Sequence, residues 1–286
     1  YEIRLSLVGS EMCIRDRVRT AISEKADIIF SGAGLPLDLP SYLREDSTTK
    51  LVPIVSSARA ARVICEKWKA NYDYLPDALV VEGPKAGGHL GYKREQIDNA
   101  DYSLERIVPE VVSEVGRYEE LYGRRIPVIA AGGLYTGEDI YRIMRLGATG
   151  VQLGSKFVTT EECDASPTFK QTYIDSSKDD IEIIASPVGM PGRAIGGEFI
   201  RRVKEGLMRP KKCPFHCIKT CDYTKSPYCI IMALYNAAKG NLSKGYAFCG
   251  ANAYMSKKIT SVRETIESLK SEFAAACRRN GQTAVL

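Results

Sequence analysis

Apolar residues fall into five short runs, Asp27–Ser31, Leu51–Ser56, Ala78–Glu82, Ile126–Ala131 and Gly150–Leu153. Their length and β-branched content predict buried strands. Between them the period changes. Ala61, Ile64, Cys65 and Trp68 lie on one face of a helix predicted over Ala58–Tyr72. Ile107, Val108, Val111, Val112 and Val115 do the same over Leu104–Leu121, and Ile140, Ile143 and Met144 over Gly137–Leu146. Strands alternating with helices predict a parallel sheet covered by helices, an α/β fold. Further on, Ile230–Lys239 reads as a helix ending at Gly240-Asn241. Ser261-x-x-Glu264 is a capping box that opens another, with Val262, Ile266, Leu269 and Phe273 as its apolar stripe.

Three strands run into glycine-rich turns. Val80-Val81-Glu82 leads to Gly83-Pro84-Lys85-Ala86-Gly87-Gly88-His89, which carries one of only two histidines. Ile126–Ala131 leads to Gly132-Gly133, and Gly150–Leu153 leads to Gly154-Ser155. Glycine lets a backbone approach a flat or anionic ligand closely, and N–H groups at a helix start suit a phosphate. The Gly132-Gly133 and Gly154-Ser155 turns are both expected to be phosphate-friendly. Histidine adds a group that exchanges protons near neutral pH. Each turn taken alone is also an ordinary strand–helix connection; the ordered set is what points to a site.

The segments Ser31-Gly32-Ala33-Gly34-Leu35-Pro36, Ala86-Gly87-Gly88-His89, Ala130-Ala131-Gly132-Gly133, Gln152-Leu153-Gly154-Ser155 and Ser186-Pro187-Val188-Gly189 with Arg193 resemble, in this order, the nitronate monooxygenase (2-nitropropane dioxygenase) family. That family is related to the FMN-dependent enoyl-acyl-carrier-protein reductase. The resemblance implies an FMN-binding (β/α)8 TIM barrel, here partial, with five of eight strands and three more expected before Val18. It assigns FMN contacts to Glu82, Gly87, Gly88, Gly132, Gly133, Gln152, Leu153, Gly154 and Ser155, and Asn252 stands in the family's glycine loop near the flavin. His89 is the implied catalytic residue, taking a proton beside a nitro group or holding a nitronate, while flavin and oxygen carry the electrons. Lys85 stands where the family commonly has glutamate, and Arg193 offers a fork for a carboxylate or nitro group. Both are candidate substrate contacts; a solvated loop lysine and a surface arginine are the alternatives. The competing function is an NAD(P)H-dependent FMN enoyl-thioester reductase, with an iron–sulfur-fed variant of it. A non-catalytic phosphate-binding scaffold is a third possibility.

Residues 1–17 stand apart. Leu7–Arg17 can be read as the translation of a transposon-based sequencing adapter, so this stretch is expected to be foreign to the fold. Residues 18–205 are then the barrel portion, and 206–286 a helical, cysteine-containing segment that completes or caps it.

Composition changes little in this picture. Apolar residues make up 44% of 286, and the formal net charge is +5. Basic residues are scattered, which speaks against nucleic acid as a partner, and no apolar run approaches a membrane span. The expected partner is a small-molecule substrate and the expected location the cytoplasm. Cysteine does change the picture. Four of the nine cysteines, Cys213, Cys217, Cys221 and Cys229, are spaced C-x3-C-x3-C-x7-C around His216. Thiolates so clustered suit a soft metal, a [4Fe–4S] cluster first and zinc second. The spacing matches neither a zinc finger nor the bacterial ferredoxin run, and free thiols in a helical cap are the alternative.

Overall fold

The structure is a computed structural model that describes residues 11–32, 34–213 and 221–281. In chain order the elements are α1 (Glu11–Ser23), β1 (Ile28–Ser31), β2 (Lys50–Val55), α2 (Ala58–Tyr72), β3 (Leu79–Glu82), β4 (Gly88–His89), α3 (Leu104–Tyr122), β5 (Val128–Ala131), α4 (Gly137–Arg145), β6 (Gly150–Gln152), α5 (Ser155–Val158), α6 (Pro167–Asp175), β7 (Ile181–Ala185), β8 (Pro191–Ile195), α7 (Glu198–Lys204), α8 (Ile230–Ala238) and α9 (Val262–Arg279).

β1, β2, β3, β5 and β6 form one parallel sheet, in that order. Each strand pairs with its predecessor and the order never reverses. Doubly wound sheets reverse at a switch point; steady addition is how a (β/α)8 barrel grows. The sheet is therefore an arc of such a barrel, and it is not closed. Side chains alternate across it. Ile29, Leu51, Val55, Leu79, Val81, Val128 and Ala130 face the helices in the main core. Val52, Val80 and Ala131, with Phe30, Ile54 and Ile129 against them, form a separate cluster on the other face.

Helix α2 follows from its sequence at every point. The Ser57 side chain accepts from the Ala60 N–H, Asp73 closes the helix in the left-handed conformation, and Ala61, Ile64, Cys65 and Trp68 are buried. Burying Ile64 alone contributes roughly 1.5–3 kcal/mol. The Trp68 indole N–H reaches the Pro36 carbonyl at 3.0 Å, so its polar edge is satisfied. Helix α3 lies beside α2, and the Arg62 guanidinium grips the buried Glu114 carboxylate with two bonds of 3.1 Å.

Helix α1 runs through residues 11–17 and on to Ser23, with Val18 and Ile22 in the main core; residues 1–10 lie outside the described residues. Helix α9 starts at the expected capping box, Ser261 with Glu264. Its stripe, however, is rotated: Thr265, Leu269, Phe273, Ala276 and Cys277 are buried, Val262 is only partly covered, and Ile266 is 41% exposed. The helix turns the 269–273 edge toward α4, which sets this rotation.

A second, antiparallel sheet has the order β4-β8-β7. β7 and β8 are a hairpin closed by residues 186–190, with Ile183 opposite Arg193. β4 lies on the other side of β8, pairing Gly88 with Arg193 and His89 with Gly192. The histidine turn is therefore a short strand, held by a hairpin far along the chain. Among the described residues no helix is long and apolar enough to cross a membrane.

Candidate active site

The C-terminal ends of β3, β5 and β6, the strand β4 and the segment around Phe248–Ala253 enclose a cavity of about 380 Å³, within the range of small-molecule sites. Its wall includes His89, Glu82, Gly87, Gly88, Gly132, Gly133, Gln152, Leu153, Gly154, Ser155 and Asn252. The expected flavin and catalytic residues thus meet in one place. Tyr135, Tyr173, Phe248 and Cys249 also line it. Their separation along the chain left no local signal for this. The Tyr173 hydroxyl donates to the Phe248 carbonyl, which fixes that wall.

His89 is half-buried. Its Nε2 lies 2.7 Å from Ser186 Oγ in the β7–β8 turn, and Phe248 meets its ring edge-on, with centroids 5.0 Å apart. Strand pairing, a hydrogen bond and an aromatic contact therefore fix the imidazole together.

The three loops around the cavity are tied to one another. The Ala251 N–H donates to Lys85 O at 3.0 Å, and Asn252 Nδ2 to Gly133 O at 2.7 Å. Ser155 Oγ accepts from the Gly250 N–H at 2.8 Å. A hydroxyl that accepts one bond still has its own hydrogen to donate. Gly154 precedes it, and a Cβ placed there would meet nothing within 4 Å. The Gly154-Ser155 turn thus presents bare backbone and a hydroxyl to the cavity.

Beyond the Gly132-Gly133 turn, the start of α4 is satisfied from within the chain. Thr136 Oγ1 accepts from the Asp139 N–H, Asp139 Oδ2 accepts from the N–H groups of Thr136 and Tyr135, and Glu272 Oε2 accepts from Gly137 N–H at 2.7 Å. Burial alone would raise the Asp139 carboxyl; the bonds from Thr136 and Tyr135 outweigh it and hold the group below its usual range. A carboxylate from α9 thus completes this helix start.

Lys85 and Arg193 are not on the cavity wall. Lys85 is exposed. Arg193 is not a surface arginine: it is 6% exposed, and its Nη1 donates to Pro84 O at 2.6 Å and to Ala86 O at 2.9 Å. Burial lowers the pKa of its guanidinium, and burial also pushes the neighbouring Cys249 thiol up to about 12, so that thiol stays protonated.

Of the cysteine set, Cys213 and Cys229 are half-buried and Cys221 is exposed; Cys217 and His216 lie outside the described residues. Cys229 caps the N-terminus of α8. The Cys221 thiol is raised by burial first, then by the charges of Cys213 and Cys229. Among the described residues no group of three His, Cys, Asp or Glu is arranged to hold a metal ion.

Known proteins resemble this chain over most of its described length. A family model described as nitronate monooxygenase matches residues 4–272. A probable nitronate monooxygenase of Staphylococcus saprophyticus is 33% identical over 138 residues, 48% of this chain and 36% of that protein. The (3aS,4S,5R,7aS)-5-hydroxy-7a-methyl-1-oxo-octahydro-1H-indene-4-carboxyl-CoA dehydrogenase of Mycobacterium tuberculosis is 27% identical over 191 residues, 67% of this chain and 47% of that protein. Among solved structures, FabK from Thermotoga maritima matches with a TM-score of 0.70 at 27% identity, covering 93% of this chain and 74% of that one. The chain spans about a third to a half of the length of the curated relatives it matches.

Proposed function

The chain belongs to the nitronate monooxygenase family, and from that premise we propose that its cavity binds FMN and that the protein oxidises alkyl nitronates with oxygen. The observation that carries this reading is His89 on the same wall as three glycine turns, its ring fixed by Ser186 at 2.7 Å. The Gly154-Ser155 turn would take the phosphate, Gly132-Gly133 and Gly87-Gly88 would lie along the ring system, and Glu82 and Gln152 would supply its polar contacts. Bound there, the flavin supplies the two-electron chemistry and the reaction with oxygen. The protein's share is orientation and proton handling. His89 would accept the proton from the carbon that bears the nitro group, or donate a hydrogen bond to a nitronate oxygen.

The test uses purified protein loaded with FMN. His89→Asn is expected to keep the flavin spectrum and to lose turnover of a nitroalkane or its nitronate by roughly a hundredfold or more. A chain that takes up no FMN, or a His89→Asn variant as fast as the parent, overturns the reading.

The likeness to a carboxyl-CoA dehydrogenase favours one second reading, an NAD(P)H-dependent FMN oxidoreductase acting on an enoyl thioester. Bleaching of the flavin by NADH or NADPH without oxygen, followed by recovery on adding an enoyl thioester, would select it over the monooxygenase. We also propose that Cys213, Cys221 and Cys229, with Cys217, take a thiophilic centre, [4Fe–4S] or zinc. This rests on their spacing and on the mutual influence of the thiols at Cys221. Iron, sulfide and zinc contents of protein purified without oxygen decide among cluster, zinc and free thiols.

A further inference from the structure

Arg193 ties two cavity-lining segments to each other and to β7. Its backbone pairs with Gly88 of β4 on one side and Ile183 of β7 on the other, and its carbonyl accepts from the Cys249 N–H at 3.1 Å. Its Nη1 binds Pro84 O and Ala86 O, the two carbonyls that flank the exposed Lys85. Ala86, Gly87, Gly88 and Cys249 all face the cavity, so the guanidinium sits directly behind that wall.

Its charge is handled unusually. A buried arginine is ordinarily matched by a carboxylate, because burying an unmatched charge is unfavourable. Among the described residues no carboxylate forms an ion pair with Arg193; its guanidinium donates to two neutral carbonyls. The neighbouring Cys249 thiol is protonated and brings no negative charge, and the charges of Asp98 and Arg94 act on the guanidinium in opposite directions. Carbonyl dipoles offset the charge only in part. The remaining positive potential reaches the adjoining cavity, where it opposes the negative charge of Glu82 on the wall.

We propose that Arg193 is a positioning residue of the active site: it fixes the Pro84–His89 loop and adds positive potential to the cavity, favouring anions formed there. This rests on the flavin reading of the same cavity. It replaces direct substrate contact, the role expected of this arginine, with action through the loop it holds.

Sulfite tests the proposal apart from turnover. Its sulfur lone pair forms a bond to N5 of oxidised flavin, and the negative charge moves onto the ring. A cation near the ring therefore tightens sulfite binding, and the adduct is read from loss of the flavin's visible absorbance. Two variants separate charge from shape. Arg193→Gln keeps a donor for one carbonyl and removes the charge; Arg193→Lys keeps the charge and loses the fork. With FMN bound in all three proteins, sulfite affinity is expected to fall about tenfold or more in the Gln variant, a change of about one pK unit's worth of interaction, and to stay within about threefold of the parent in the Lys variant. Unchanged affinity in Arg193→Gln, or an equal loss in both variants, overturns the proposal. If Arg193→Gln fails to fold, the Lys variant still decides: parental affinity supports the charge, and a tenfold loss overturns it. A parent protein that takes up no FMN defeats the flavin reading instead, so the two failures are distinguishable.

Discussion

His89 Nε2 and Ser186 Oγ, 97 residues apart in sequence, lie 2.7 Å from each other. The bond joins the β3 side of the cavity to the turn of a hairpin that contributes nothing to the main sheet. Ser186 Oγ is also approached by the Val188 N–H at 3.4 Å, so the hydroxyl is oriented before it meets the imidazole. Ser186→Ala leaves the ring without that anchor. The expected result is a kcat lower by about tenfold to a hundredfold, the usual range for a partner that orients a reactive histidine, with FMN affinity unchanged. Steady-state turnover of a nitronate beside an FMN titration checks it.

Asn252 acts on the opposite wall. Its amide donates to Gly133 O at 2.7 Å and so holds a turn that would lie against the cofactor. Asn252→Ala is expected to weaken FMN binding about tenfold, the upper range for one hydrogen bond. Asn252→Asp should do worse, because its carboxylate would not only lose the donor but also repel the Gly133 carbonyl oxygen. Fluorescence titration with FMN measures both, and equal affinities in the parent and the Asp variant would rule this role out.

The α4–α9 contact depends on the absence of a side chain at Gly137. A Cβ there would lie 2.3 Å from Leu269 O and 2.4 Å from the Phe273 nitrogen, both backbone atoms. Gly137→Ala must push the helices apart and strain the Glu272 bond to the Gly137 N–H. A loss of about 1–3 kcal/mol is expected, as for other overpacked contacts, measured as a lower midpoint in urea with an unchanged slope. Helix propensity alone would predict a gain, so the sign of the change separates the two effects.

Asp139 gives the same region a pH dependence. Its folded-state carboxyl is held below the ordinary value of 3.8 by the bonds from Thr136 and Tyr135, against the effect of burial. A depressed carboxyl stabilises fully above its unfolded value, and the contribution is lost as pH falls through the lower, folded value. Unfolding midpoints of the parent should therefore drop more steeply below about pH 4 than those of Asp139→Asn. Parallel curves for the two proteins would remove Asp139 from the acid sensitivity.

Local periodicity made much of this fold legible. Helix α2 has the predicted bounds, Ala58 to Tyr72, because cap, apolar face and termination are all set by neighbours in sequence. The five sheet strands were legible as well, and with them the glycine turns that follow three of them. The β7–β8 hairpin was not. β8 begins Pro191-Gly192-Arg193, residues that read as loop, and its partner β4 is two residues long. Sequence also made Ile266 a core residue. That depends on how α9 docks, as does the start of α4, where Glu272 reaches Gly137 across 135 residues. Arg193 was legible as a residue of the site, but its place behind the wall follows from bonds to Pro84 and Ala86, which no spacing rule reports.

Two residues of ladder fix where the imidazole stands. With Gly88 opposite Arg193 and His89 opposite Gly192, the ring is level with the Ser186 hydroxyl. A slip of one position between β4 and β8 would carry it past that hydroxyl, with every amino acid still present. Chemistry here is thus written partly as alignment: a change in the length of the 186–190 turn loosens the hold on the histidine without touching it.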